Sequence, residues 1–308
     1  MKKCKKKCKI DGVRVAFLPK ISLVILTNHL SGTIFSKKRF EMSHPKLPRS
    51  PLVLVVAQIR FSPVESIEKK YIPMIQEKLR SCGYPYFAKG HINEIIPRGG
   101  GIQVLGSEQW FFTDKKRRTN IVLTKNSLAV NTVDYSTFDG YLVGVQQAIV
   151  DICGILGLKD YAALEQVSLR YVDWIRPLDG KQPEELVKQE YLGGFIDNDN
   201  DVRLRQVIIE RNSSAGGIVR IVLFSPFEPS SVLGEFQAIQ LELPKLADEK
   251  SRLIILDMDH IKEMKGIDFS EELITSTLNE LHLEHDKLFF HTIPTQEAIN
   301  LWKKEGEQ

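Results

Sequence analysis

The apolar positions of this chain fall into two rhythms. Short apolar runs and strict alternation mark strands. Leu52 to Phe61 opens with Leu-Val-Leu-Val-Val-Ala, apolar on both faces, which predicts a strand in the middle of a sheet. From Ile92 to about Val133 the pattern is again β, broken by turns at Arg98–Gly101 and Asp114–Arg118. Gln166 to Arg176 is the sharpest strand. Leu169, Tyr171, Asp173 and Ile175 share one face, and Arg170, Val172 and Trp174 share the other. Further strands are predicted at about 204–211, 217–224, 235–243 and 252–258.

The second rhythm is helical. Ser62-Pro63-Val64-Glu65 reads as a helix start, with a stop at Gly83 and a kink or break at Pro73. Ser136-x-x-Asp139 begins a second helix whose stripe is Phe138, Tyr141, Leu142, Val145, Ile149, Ile152 and Leu156, ending at Gly157. Pro183 to about Tyr191 is a short helix. Asp268-x-x-Glu271 begins another, with the stripe Ile274, Leu278, Leu281, His285 and Leu288, and Pro294 begins a short terminal helix reaching Trp302. Strands joined by short turns imply mostly antiparallel pairing. The expectation is an α+β fold, with mostly antiparallel sheets, helices on one face, and two sub-halves, 42–180 and 181–308, that could form one continuous domain.

Charge divides the chain differently. Of its 42 basic and 39 acidic residues, the first 41 positions hold 11 and 2. The remainder therefore carries 31 and 37, a balance of −6. Residues 1–41 are expected to be a basic extension that does not fold, or an over-extended gene start, with Met42 opening the compact body. A mildly acidic body argues against duplex binding as its main task. No run is long enough for a membrane helix. The four cysteines form no Cys-x-x-Cys pair, which fits reduced thiols in the cytoplasm.

The pieces Leu47-Pro48-x-x-Pro51-Leu52, Ile59-x-Phe61, Trp110, Tyr135 before Phe138, Leu169-Arg170-Tyr171-Val172-Asp173-Trp174-Ile175, Leu256-Asp257-Met258-Asp259, Leu281-His282, Phe289 and Ile293 occur in an order that resembles a sporadically distributed family of prokaryotic proteins. The resemblance spans nearly all of 42–308 and brings no catalytic assignment. It implies an accessory role, such as phage defence or toxin–antitoxin control. Asp173 stands where that family usually has Asn.

Four groups of residues could carry chemistry. Arg170, Tyr171, Asp173 and Trp174 put a charge among apolar residues on each face of one strand; the rival account is a structural ion pair to other elements plus aromatic core. Asp257, Asp259 and His282 could hold a divalent metal for a hydrolase or nuclease, with His260, His285 and His291 nearby in sequence; a solvated strand end and core histidines are the alternative. Glu263-x-Lys265 is expected in a loop after that strand. Lys115, Lys116, Arg117 and Arg118 could grip nucleic-acid phosphates, or form a charged hairpin tip. Asp197-Asn-Asp-Asn-Asp201 lacks the glycine and glutamate of a calcium loop and reads as a linker. No P-loop, dinucleotide fingerprint or nucleophile elbow is present. The reading is a non-enzymatic cytoplasmic binding or regulatory module whose partner is another protein, with no membrane and no cofactor; the rivals are the metal-dependent hydrolase and the nucleic-acid binder.

Overall fold

The computed structural model describes residues 47–98, 101–193, 204–226, 240–244 and 252–305. Its contacts divide into a body, 41–92 and 107–308, and a second unit that includes 93–106. The body is the subject here; residues 1–41 and 197–201 lie outside the described residues.

Nine strands form one sheet. They are β1 (Leu52–Phe61), β2 (Tyr86–Arg98), β3 (Gly101–Thr113), β4 (Thr119–Leu123), β5 (Ser127–Thr132), β6 (Ala163–Ile175), β7 (Leu204–Asn212), β8 (Ile218–Pro226) and β9 (Ile254–Asp268). Their order is β2-β3-β4-β5-β1-β6-β9-β8-β7. Each described pairing is antiparallel. The α+β expectation holds. β1 sits between β5 and β6, as its two apolar faces require. Its Val55, Ala57 and Ile59 enter the main core, while Val53 and Leu54 join a smaller cluster on the other face.

Among the described residues of the body, four helices have eight residues or more: α1 (Ile72–Ser81), α2 (Phe138–Leu156), α3 (Glu271–Lys287) and α4 (Gln296–Lys303). The predicted stripes are the buried ones. Phe138, Leu142, Val145, Ile149, Ile152 and Leu156 of α2 join Ile274, Leu278 and Leu281 of α3 over the alternate residues Val167, Leu169, Tyr171 and Ile175 of β6. This side of the sheet is the helical face; the other is called the second face.

Helix starts differ from the sequence reading, each for a local reason. The helix predicted from Ser62 begins only at a π-helical turn, Ile67–Tyr71. Ser62 instead accepts a hydrogen bond from the Ala163 amide, 3.2 Å, and its own amide donates to the Ala163 carbonyl. The hydroxyl is thus engaged with the neighbouring strand rather than with a helix end. Pro73 lies in the first turn of α1 and splits the segment as expected. Thr137, rather than Ser136, caps α2 by accepting from the Gly140 amide. Ser270, rather than Asp268, caps α3 by accepting from the Leu273 amide. Asp268 is still in β9, which runs ten residues past the predicted end at 258 and takes Glu263 and Lys265 into the strand. The strand expected at 235–243 is absent from its described part: residues 240–244 form a bend and irregular chain.

The β7–β8 hairpin turns at Gly216 and Gly217, both at positive φ. A Cβ at Gly217 would stand 2.1 Å from the Ile261 carbonyl oxygen, so only glycine lets β8 approach β9 here.

Candidate functional site

β6 has one neighbour on each side, β1 and β9, and separates two chemical environments. On the second face, Arg170 makes a two-pronged contact with Asp257 of β9. Its Nε donates to Oδ1 at 2.7 Å and its Nη2 to Oδ2 at 2.5 Å. The pair is diagonal, because Arg170 stands opposite Asp259 and Asp257 stands opposite Val172. The Arg170 side chain is 38% exposed and that of Asp257 17%, so the pair is partly wet.

The register extends this pair into a row. Thr113, Asn120, Asn131, Val56, Arg170, Asp259, Arg220 and Glu210 occupy matched positions on eight successive strands. Partners directly opposite share a face, so all eight project the same way. Only Val56 is apolar. Asn131 donates to Asn120 at 2.8 Å, both buried. From β6 to β7 the charges alternate as Arg170, Asp259, Arg220 and Glu210. The flanking rows supply Ile218 and Ile261 on one side and Val172, Val222 and Ile208 on the other.

Trp174 shares this face but is buried in a cluster with Val53, Leu54, Leu241, Leu253 and Ile255. The Arg176 guanidinium lies 5.2 Å from its ring centre. Burial also lowers the Arg176 pKa below the usual arginine range. Tyr171 is buried too. Both rings belong to the buried core of their faces.

The helical face holds the other two residues of the predicted group. Asp173 is 2% exposed, and its Oδ2 has no hydrogen-bond partner. Burial first, and the nearby Asp257 charge second, push its pKa up to about 8. Arg170 and Asp173 lie on opposite faces, as the alternation of the strand predicts, and the arginine pairs with Asp257 of another strand.

Tyr171 links β6 to α3. Burial holds its pKa well above the ordinary tyrosine value, so it keeps its proton. Its hydroxyl and His282 Nδ1 form a hydrogen bond of 2.9 Å. His282 Nε2 lies 3.6 Å from Asp286 Oδ2. Phe138 stacks on the His282 ring with centroids 3.9 Å apart, tying the start of α2 to α3. Tyr135 lies beside Tyr171, and burial raises its pKa to about 12. Burial also lifts Asp286 to about 7. His285 sits deeper; its Nε2–H donates to the Leu169 carbonyl at 2.9 Å and desolvation lowers its pKa to about 3. Tyr171, His282 and Asp286 resemble a nucleophile–base–orienter chain in order only. The Tyr171 hydroxyl is enclosed and its proton is held, so the chain ties helices to sheet rather than attacking a substrate.

Asp257 and Asp259 project from the second face, whereas His282 lies under the helical face. The sheet separates them, so the predicted metal set does not converge. Among the described residues no cluster of three or more His, Cys, Asp or Glu could hold a metal ion. Lys115, Lys116 and Arg117 are exposed at the β3–β4 hairpin tip. Arg117 adopts positive φ and lies 4.8 Å from the Tyr86 ring centre, and Arg118 turns inward to donate to the Val133 carbonyl. The four do not form one phosphate-facing row.

Sequence reasoning passed over Tyr135, Phe138 and Asp286 as site residues. A faint signal existed: Asp286 follows His282 by one helical turn, the spacing at which side chains meet. The polar row had none, because its members are scattered from 56 to 259 and only strand register assembles them. Comparison with known families and with curated proteins finds no match. Among the described residues no helix is long and apolar enough to cross a membrane.

Proposed function

We propose that this protein is a non-enzymatic binding module that engages another protein through the second face of its sheet, around Arg170, Asp259, Arg220 and Glu210. The row of alternating charges flanked by Ile218, Ile261 and Ile208 supports this reading. Mixed apolar and paired polar surface containing arginine is the composition of protein interfaces. The signs balance, which suits a protein partner better than a polyanion. Arg170 at 38% and Glu210 at 47% side-chain exposure remain within reach of a partner. Catalysis has less support: the strongly shifted groups Asp173, Tyr171 and His285 are enclosed in the core.

The test is capture from an extract of the native host with tagged wild type, Arg170→Glu and, as a control on the helical side, Val143→Glu. The reading expects one partner retained by wild type and Val143→Glu and lost with Arg170→Glu. Equal retention by all three would overturn it.

A further inference from the structure

The hairpin of β7 and β8 carries the outer part of the proposed binding face. Ile208 and Glu210 of β7, and Ile218 and Arg220 of β8, project from the second face. Consecutive residues of a strand point to opposite faces. Val207 and Ile209 therefore turn to the helical side, where they pack against the main core. Arg211 shares their parity and turns the same way.

α3 lies over β6 and β9, so the β7–β8 turn stands at the margin of the helical layer. Glu284 of α3 spans that gap. The residue is 4% exposed. Its Oε1 accepts from Arg211 Nη2 at 2.5 Å, and its Oε2 accepts from Ser214 Oγ at 2.7 Å. Each oxygen of one shielded carboxylate thus holds a different point of the hairpin, the end of β7 and the turn itself. Burial alone would raise the Glu284 pKa, but the bonds from Ser214 and Arg211 outweigh it and hold the carboxyl below its ordinary range. Hydrogen bonds to an ionised group are among the stronger ones. From the sheet side, His260 Nε2 of β9 lies 3.1 Å from the Gly216 carbonyl oxygen, so the same turn is gripped by two layers.

We infer that Glu284 is a positioning residue for the binding face: from the helical side it fastens the β7–β8 turn, and so fixes Ile208, Glu210, Ile218 and Arg220 relative to Arg170 and Asp259. The positioning role rests on the reading of the second face as the binding surface; the fastening of the turn does not.

Hydrogen exchange on the full chain tests the fastening. Glu284→Ala should speed exchange of the amides from Arg211 to Arg220 about tenfold to a hundredfold, the worth of a hydrogen bond to a charged group, and leave those of β1 and β5 unchanged. Glu284→Gln keeps the side-chain shape and one acceptor oxygen, so it guards against misfolding and should fall between Glu284→Ala and wild type. Retention of the host partner should decline in the same order. Exchange that quickens equally across the whole sheet would make Glu284 an ordinary stabilising residue and overturn the proposal. A loosened hairpin that retains the partner as wild type does would overturn it too. Failure of wild type to retain any partner would remove the binding face itself, while the exchange result would still stand for the turn.

Discussion

Replacing Asp173 by Asn should stabilise this protein at neutral pH. The carboxyl is 2% exposed, its Oδ2 is unpartnered, and its pKa is raised to about 8 from an ordinary 3.8. The folded form therefore keeps a proton that the unfolded chain releases above about pH 4. Folding takes up that proton, so stability falls as pH rises from about 4 to about 8 and is level beyond. Each pKa unit corresponds to about 1.4 kcal/mol, which makes the cost at pH 7 about 4 kcal/mol. Asparagine cannot ionise, but its buried amide leaves polar atoms to satisfy, at about 1–2 kcal/mol. The net gain at pH 7 is about 2–3 kcal/mol; it vanishes near pH 5 and becomes a loss of about 1–2 kcal/mol at pH 4. Denaturant unfolding of both proteins at pH 4, 5.5, 7 and 8 measures it. Parallel pH profiles for wild type and Asp173→Asn would refute the reasoning, since they would mean that this carboxyl ionises freely in the fold.

Three further outcomes follow from the same geometry. His285 is held neutral with its pKa near 3 against an ordinary 6.5, so its contribution is complete above pH 6.5 and lost as pH falls toward 3; the loss reaches about 5 kcal/mol, and His285→Gln should flatten that acid limb in unfolding titrations. Arg170→Ala removes a two-pronged but partly wet ion pair and should cost about 1–2 kcal/mol by denaturant unfolding, less at high salt. Gly217→Ala forces a Cβ against the Ile261 carbonyl and should cost more than about 3 kcal/mol or abolish soluble expression, whereas Gly83→Ala, with open space around its Cβ, should cost only the strain of its positive φ, about 1 kcal/mol.

Helical stripes were legible because a 3.6-residue period is a local property: Phe138 to Leu156 and Ile274 to Leu281 bury the residues their spacing names. The alternation of β6 was legible for the same reason, and it placed Arg170 and Asp173 on opposite faces from sequence alone. Their surroundings were not. Asp257 lies 87 positions from Arg170 and reaches it only because β6 and β9 pair in one particular register. The proposed metal set failed on the same point, since sequence proximity of Asp259 to His282 says nothing about a sheet between them. Helix starts were misplaced by a few residues wherever two capping hydroxyls competed, as at Ser136 and Thr137, or where strand pairing claimed the hydroxyl first, as at Ser62.

The central claim is that binding occurs on the second face of the sheet. It is tested most directly by a photo-cross-linking residue placed at Ile218, on that face, and at Val143, exposed on the helical side. Cross-linking of a host protein from position 218 and not from 143, lost when Arg170→Glu is added, is the predicted result. A partner captured from position 143 alone would contradict the account.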